Sequence, residues 1–198
     1  MGDFMSPSAT TGRRHLHTRS VQFNGYLRDD GLWDIEAELQ DTKTYPSPGY
    51  EHGELLPGQP VHHIFLRLAI DNDLVIREAA FDMKAIPFAH CGGAAANPET
   101  FVGLPLGRGW RRAVDDRMKG TLGCSHLREL LYGAATAAFQ TVTSYRETHM
   151  PEIGAPKGPS GAPFYLNQCR SWAFDSPVVE RLYPQFFQPG QSRMPDRD

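Results

Sequence analysis

Residues 61–83 read VHHIFLRLAIDNDLVIREAAFDM, and this stretch decides the fold. Apolar and polar residues alternate on both sides of Asp71-Asn72-Asp73, the pattern of two half-buried strands joined by a turn. Working outward, residues 21–41, VQFNGYLRDDGLWDIEAELQD, repeat the arrangement around Asp30-Gly31, a dipeptide that favours a tight hairpin turn. Between the two hairpins, TYPSPGYEHGELLPGQP (44–60) carries prolines that cannot donate to a ladder, so it reads as a linker.

Beyond the second hairpin the texture changes. PFAHCGGAAANPETF (87–101) reads as a Gly- and Ala-rich loop leading into a short helix, and GWRRAVDDRMKG (109–120) has helical spacing. From Ser125 to about Arg146, Leu127, Leu130, Leu131, Ala134, Ala138, Val142 and Tyr145 recur at three and four, which predicts the main helix with one apolar stripe against the sheet. A second linker, PEIGAPKGPSGAP (151–163), precedes FYLNQCRSWAFDSPVVERLYPQFF (164–187), which predicts a strand and a short helix. Strands first and helices later imply an α+β fold: a mainly antiparallel sheet of two hairpins with helices packed on one face. The polar ends predict loose tails over 1–18 and 189–198 around a single α+β domain at 19–188.

The chain has 198 residues, 40% hydrophobic and 22% charged, as expected of one globular domain able to bury a core without disulfides or structural metal. A net charge of -3 speaks against a nucleic-acid surface. No apolar run is of spanning or signal-peptide type, so the expectation is a cytoplasmic protein with no membrane partner. A sheet edge expected after the Pro-rich linker makes a homodimer a candidate assembly.

Three cysteines are an odd number, which argues for reduced thiols rather than a disulfide framework. Cys124 lies where the main helix starts. Free N–H groups and the positive end of the helix dipole favour a thiolate there, for nucleophilic attack or metal binding. The bland alternative is a small residue packed under the helix start. His126 follows two residues later, about 200° around an ideal helix, so the two share a ligand only if Cys124 precedes the helix proper. Cys91 sits beside His90 and Gly92-Gly93, either a ligand approach or a buried thiol, and Cys169 in NQCR (167–170) reads as buried. None forms a close-spaced zinc pair, so a metal site of Cys91, Cys124, Cys169 and His126 has to be assembled by the fold.

Other residues carry weaker signals. His62 and His63 are neighbours in a strand and point to opposite faces, and both read as surface or core histidines. Asp71 and Asp73 begin like a calcium loop, but no downstream Gly and Glu complete it, so they read as a turn. Glu129 lies one turn from Ser125 and His126, as a supporting partner, a general base or a solvated glutamate. Gly107-Arg108-Gly109-Trp110-Arg111-Arg112 sets three guanidinium groups at a helix start, for phosphate or carboxylate or as a solvated basic face.

GYLRDDGLWDIEAELQDTK (25–43), HHIFLRLAIDNDLVIREAAF (62–81), GLPLGRGWRRAVDDRMKGTLGCSHLRELL (103–131), AAFQTV (137–142) and Cys169 together resemble the uncharacterised bacterial domain of unknown function 2889 family, over about residues 18–187. That resemblance implies a setting in the CoA-linked breakdown of aromatic or steroid compounds. Residues 66–97 and 122–139 are more distantly similar to iron-sulfur scaffold proteins of the NifU and IscU type. This second resemblance implies that Cys91 and Cys124 take the first and last cysteine ligand positions. No cysteine stands between 92 and 123, and Gly93 and Gly123 replace an aspartate and a histidine of the scaffold pattern. Cys169, His90 or His126 then complete an altered site.

Two functions follow as expectations. One is a hydrolase, a thioesterase acting on an aromatic acyl-CoA, with Cys124 as nucleophile or, with Cys91, Cys169 or His126, as ligand of a water-activating zinc. In it His126 and Glu129 serve as acid or base, Arg108, Arg111 and Arg112 hold the CoA phosphates, and Trp33 and Trp110 line an aromatic acyl pocket. The other is a metal or iron-sulfur accessory protein, with zinc or iron as the cofactor. A thioesterase needs a concave apolar site near Cys124, and a scaffold needs its ligands exposed at one tip. A plain small-molecule binding module is the third reading.

Overall fold

The computed structural model describes residues 11–158 and 161–190. The outer parts of both expected tails, 1–10 and 191–198, lie outside the described residues. Two compact units divide the chain, Met1–Ala138 and Phe139–Asp198.

The first unit is built on a four-stranded antiparallel sheet in the order β1-β2-β5-β6. Strand β1 is His17–Leu27 and β2 is Trp33–Lys43, joined by a loop in which Gly31 takes a φ of 84°. That value lies in the left-handed region, where glycine carries no Cβ penalty. The hairpin thus starts earlier than the alternation suggests, because His17 to Ser20 are polar on both faces yet pair with Gln40 to Lys43. The linker holds a two-stranded ribbon, β3 (Ser47–Pro48) with β4 (Glu54–Leu55), around a 3-10 turn at Tyr50–His52. Strands β5 (Pro60–Ile70) and β6 (Ile76–Ala85) are the second hairpin. Asp71 Oδ1 accepts the N–H groups of Asp73 and Val75, which makes Asp71 the anchor of the turn.

Strand β5 follows the Pro-rich linker but pairs with β2 on one side and β6 on the other, so no edge lies there; the outer strands are β1 and β6. The partner-edge expectation at that place is therefore corrected.

Side chains alternate across the sheet. Trp33, Ile35, Ala37 and Leu39 of β2 and Ile64, Leu66, Leu68 and Ile70 of β5 are buried on one face. Helix α1 (Trp110–Met118) and the first half of helix α2 (Ser125–His149) supply Trp110, Val114, Met118, Leu127, Leu130, Leu131, Ala134 and Ala138 to the same core. Each Val, Leu, Ile or Met side chain so buried contributes about 1.5–3 kcal/mol. Gly133 lets α2 approach β1: the ring of Phe23 occupies the space a Cβ at 133 would fill. Trp110 ties the two helices, its Nε1–H donating to the Leu131 carbonyl at 2.7 Å. The opposite face is polar, with Arg28 and Arg67 both paired to Asp34 and Glu78.

In the second unit Ala162, Leu166 and Val179 are buried among Tyr165, Trp172, Phe174, Tyr183, Phe186 and Phe187. Helix α3 (Pro177–Leu182) is capped by Ser176, whose Oγ accepts the Val179 N–H at 3.1 Å. The strand expected in 164–187 is not formed; a 3-10 turn at Arg170–Trp172 stands there, and the aromatics cluster on their own rings instead of lying along a ladder. Tyr145, expected in the buried stripe, is 38% exposed, and Val142, Thr143 and Arg146 are the buried residues of the late turns. Among the described residues no helix is long and apolar enough to cross a membrane.

Candidate functional site

Asp41 is in phase with Ile35, Ala37 and Leu39, so the β2 pleat drives a carboxylate into the buried face, where it is 4% exposed. A buried charge requires partners. Strand pairing supplies them, since Arg19 of β1 and His62 of β5 stand directly opposite Asp41 on its two sides. Arg19 grips the carboxylate with both prongs, Nε to Oδ1 and a terminal nitrogen to Oδ2, each at 2.8 Å. His17 Nε2–H donates to Oδ1 at 2.9 Å and His62 Nδ1–H to Oδ2 at 3.1 Å.

The start of α2 closes over this row. Cys124 caps the helix, its carbonyl accepting the Arg128 N–H at 2.9 Å, and so lies just before the helix proper. From there Cys124 Sγ is 3.6 Å from His126 Nδ1. The other nitrogen of that ring, Nε2, is 3.8 Å from Asp41 Oδ2, and the His126 and His62 rings pack with centroids 4.0 Å apart. Glu129, a turn later, pairs with Arg19 at 2.7 Å.

The electrostatics follow from these contacts. Burial pushes the Asp41 carboxyl up, but hydrogen bonds from Arg19 and His17 outweigh it and hold the pKa at about 2. Burial lowers His62 below the usual histidine value, against the pull of Asp41. For Cys124, burial raises the thiol pKa, and the contact with His126 and the N–H groups of Leu127 and His126 reverse that, leaving it below the ordinary cysteine value. A thiol of lowered pKa, an imidazole and a buried carboxylate thus stand in series.

The structure brings together Cys124 and His126 of the expected site residues. Glu129 reaches the cluster through Arg19 and makes no contact with the sulfur. Trp33 is 1% and Trp110 3% exposed, both core residues with no face for an acyl group; the Trp33 indole N–H donates to Asn72. Arg108, Arg111 and Arg112 are exposed around the start of α1, with Arg111 over the Tyr132 ring and Arg112 4.0 Å from Asp116. Cys91 is half-buried in a 3-10 turn at Ala89–Ala95, and Cys169 is exposed in the second unit, ahead of the turn at Arg170. Among the described residues, the one group of three donors close enough for a single ion is Asp41, His62 and His126, with no cysteine in it.

A concavity of about 250 Å³ lies on the polar face of the sheet, lined by residues that include Asn24, Glu36, Glu38, Phe65, Arg67 and Asp82. A second lies by the β3–β4 ribbon. Neither is lined by Cys124 or His126, so neither supplies the concave apolar site expected beside Cys124.

Sequence reasoning overlooked Arg19, His17 and Asp41, and it read His62 as a surface or core histidine, whereas His62 belongs to the cluster. The signal was present: Asp41 and His62 fall on the buried phase of their strands, where a charged or titratable side chain needs a reason.

No curated protein and no solved structure matches the chain. The match to a family is clear, and it spans residues 17–140, which include every member of the cluster from His17 to Glu129. The chain belongs to the family described as Protein of unknown function (DUF2889).

Proposed function

We propose that the protein is a cysteine-dependent hydrolase of acyl thioesters, with Cys124 as nucleophile and His126 as its acid and base. The observation that carries this reading is the 3.6 Å approach of Cys124 Sγ to His126 Nδ1 at the cap of α2, with the thiol pKa lowered. His126 takes the Cys124 thiol proton, the thiolate attacks a thioester carbonyl and displaces the leaving thiolate, and that leaving group takes the proton from His126. The same imidazole then removes a proton from the water that hydrolyses the acyl-enzyme. Asp41 faces Nε2 and favours the imidazolium formed in between, and Arg19, His17 and Glu129 fix the carboxylate in place.

An aromatic acyl-CoA is the substrate proposed. The exposed guanidinium groups of Arg108, Arg111 and Arg112 support it as candidate phosphate contacts. The test is a panel of aromatic and aliphatic CoA thioesters assayed in chelator-treated buffer. Turnover is expected to vanish in Cys124→Ala and to fall roughly 100-fold or more in His126→Asn. Full turnover in Cys124→Ala, or no hydrolysis of any thioester, overturns the reading.

A further inference from the structure

We propose that Asp41, His62 and His126 form a binding site for a zinc-class divalent cation, and that the bound ion removes His126 from service as the proton acceptor of Cys124. Binding stands on the geometry alone, and only its effect on catalysis rests on the hydrolase reading.

The three donors come from β2, β5 and the first turn of α2, and their ligand atoms all lie within 4.8 Å of one another. His62 Nδ1 and His126 Nε2 are 3.1 and 3.8 Å from Asp41 Oδ2. Zinc bonds of about 2.0–2.1 Å in a tetrahedron set donors roughly 3.3 Å apart, so these separations already bracket the required edge. Two imidazoles and one carboxylate are a donor set that zinc accepts, with the fourth position left for water.

The supporting shell is in place. Arg19 holds both oxygens of the Asp41 carboxylate, including the Oδ2 that faces the imidazoles, and His17 holds Oδ1, as outer partners of a ligand do. The Arg19 cation does not leave the site positive, because its other terminal nitrogen pairs with Glu129. With neutral imidazoles, Asp41, Glu129 and Arg19 sum to one negative charge.

Protons set the consequence. His62 gives its Nδ1–H to Asp41 in the free protein, and coordination requires that proton to move to Nε2 of the same ring. At His126 the ion takes the Nε2 lone pair, which fixes the remaining proton on Nδ1, the nitrogen facing Cys124 Sγ. That nitrogen can then only donate, so the imidazole no longer accepts the thiol proton or returns it to a leaving group.

The experiment is calorimetric titration of zinc into chelator-stripped full-length protein, with cobalt as a spectroscopic substitute. Wild type and Cys124→Ala are expected to bind one ion each with similar affinity, and His62→Gln and Asp41→Asn at least 10-fold more weakly. Cobalt should give tetrahedral ligand-field bands without a sulfur charge-transfer band, a readout that needs no variant to fold. Absence of stoichiometric binding, binding lost in Cys124→Ala, or binding intact in both ligand variants overturns the site. If the site stands, zinc should suppress thioester turnover in proportion to occupancy. Undiminished turnover at saturation overturns the second half of the proposal. A protein that binds zinc but hydrolyses no thioester in chelator overturns the hydrolase reading and leaves the site standing.

Discussion

Replacing Asp41 by Asn tests how the buried carboxylate holds the sheet and helix together. The Asp41 pKa is held at about 2, against an ordinary 3.8. A shift of nearly two units corresponds to about 2 kcal/mol of folding free energy at neutral pH. The sign follows from the direction: a depressed carboxyl stabilises the fold fully above its unfolded value, near 4, and loses that contribution as pH falls toward 2. Asp30 and Glu78 are depressed too, so wild type alone mixes several groups, and the difference between the two proteins is the informative quantity. Urea unfolding in chelator at pH 7, 4 and 2.5 is the assay. Asp41→Asn is expected to be less stable by about 2 kcal/mol or more at pH 7, because Arg19 loses its buried charge partner, and the gap should narrow by more than half, to about 1 kcal/mol, at pH 2.5. A gap that is constant with pH, or absent at pH 7, refutes the assignment of this stability to the Asp41 charge.

Two packing contacts make further predictions. Ala at a helix interior is about 1 kcal/mol better than Gly, yet Gly133→Ala is expected to destabilise by about 1–2 kcal/mol, because its Cβ meets the Phe23 ring. In a Phe23→Ala background the same change should become stabilising, and denaturant midpoints that rise in both backgrounds would sink the argument. Trp110→Phe removes the N–H donated to Leu131 and should cost about 1–2 kcal/mol in denaturant unfolding, with an unchanged stability counting against that bond.

The two hairpins were legible because alternation over 61–83 and 21–41 is a direct image of a sheet with one buried face. The first strand was read short because residues His17 to Ser20 carry no apolar signal; their place is set by pairing with Gln40 to Lys43 of the next strand. The thiol and imidazole at the start of α2 were legible because helix ends have local chemistry, and the condition that Cys124 precede the helix is met. The rest of the cluster was not read. Asp41 closes one predicted hairpin and His62 opens the other, and only the register between β2 and β5 sets them face to face. Trp33 and Trp110 looked like pocket residues because composition does not distinguish an aromatic wall from an aromatic core.

The register between β2 and β5 slips by one residue between Asp41 and Thr42: Asp41 faces His62, whereas Thr42 faces Pro60, leaving Val61 as the extra residue. This bulge divides the chain into stretches with opposite tolerance of length change. Insertions or deletions in the loop of residues 44–59 end at the bulge, and the phase of the strand beyond it is unaffected. One residue gained or lost between His62 and Ile64 would instead carry the imidazole through to the polar face, on the side where His63 meets Glu38. Length variation among relatives should therefore gather before Pro60 and stop there.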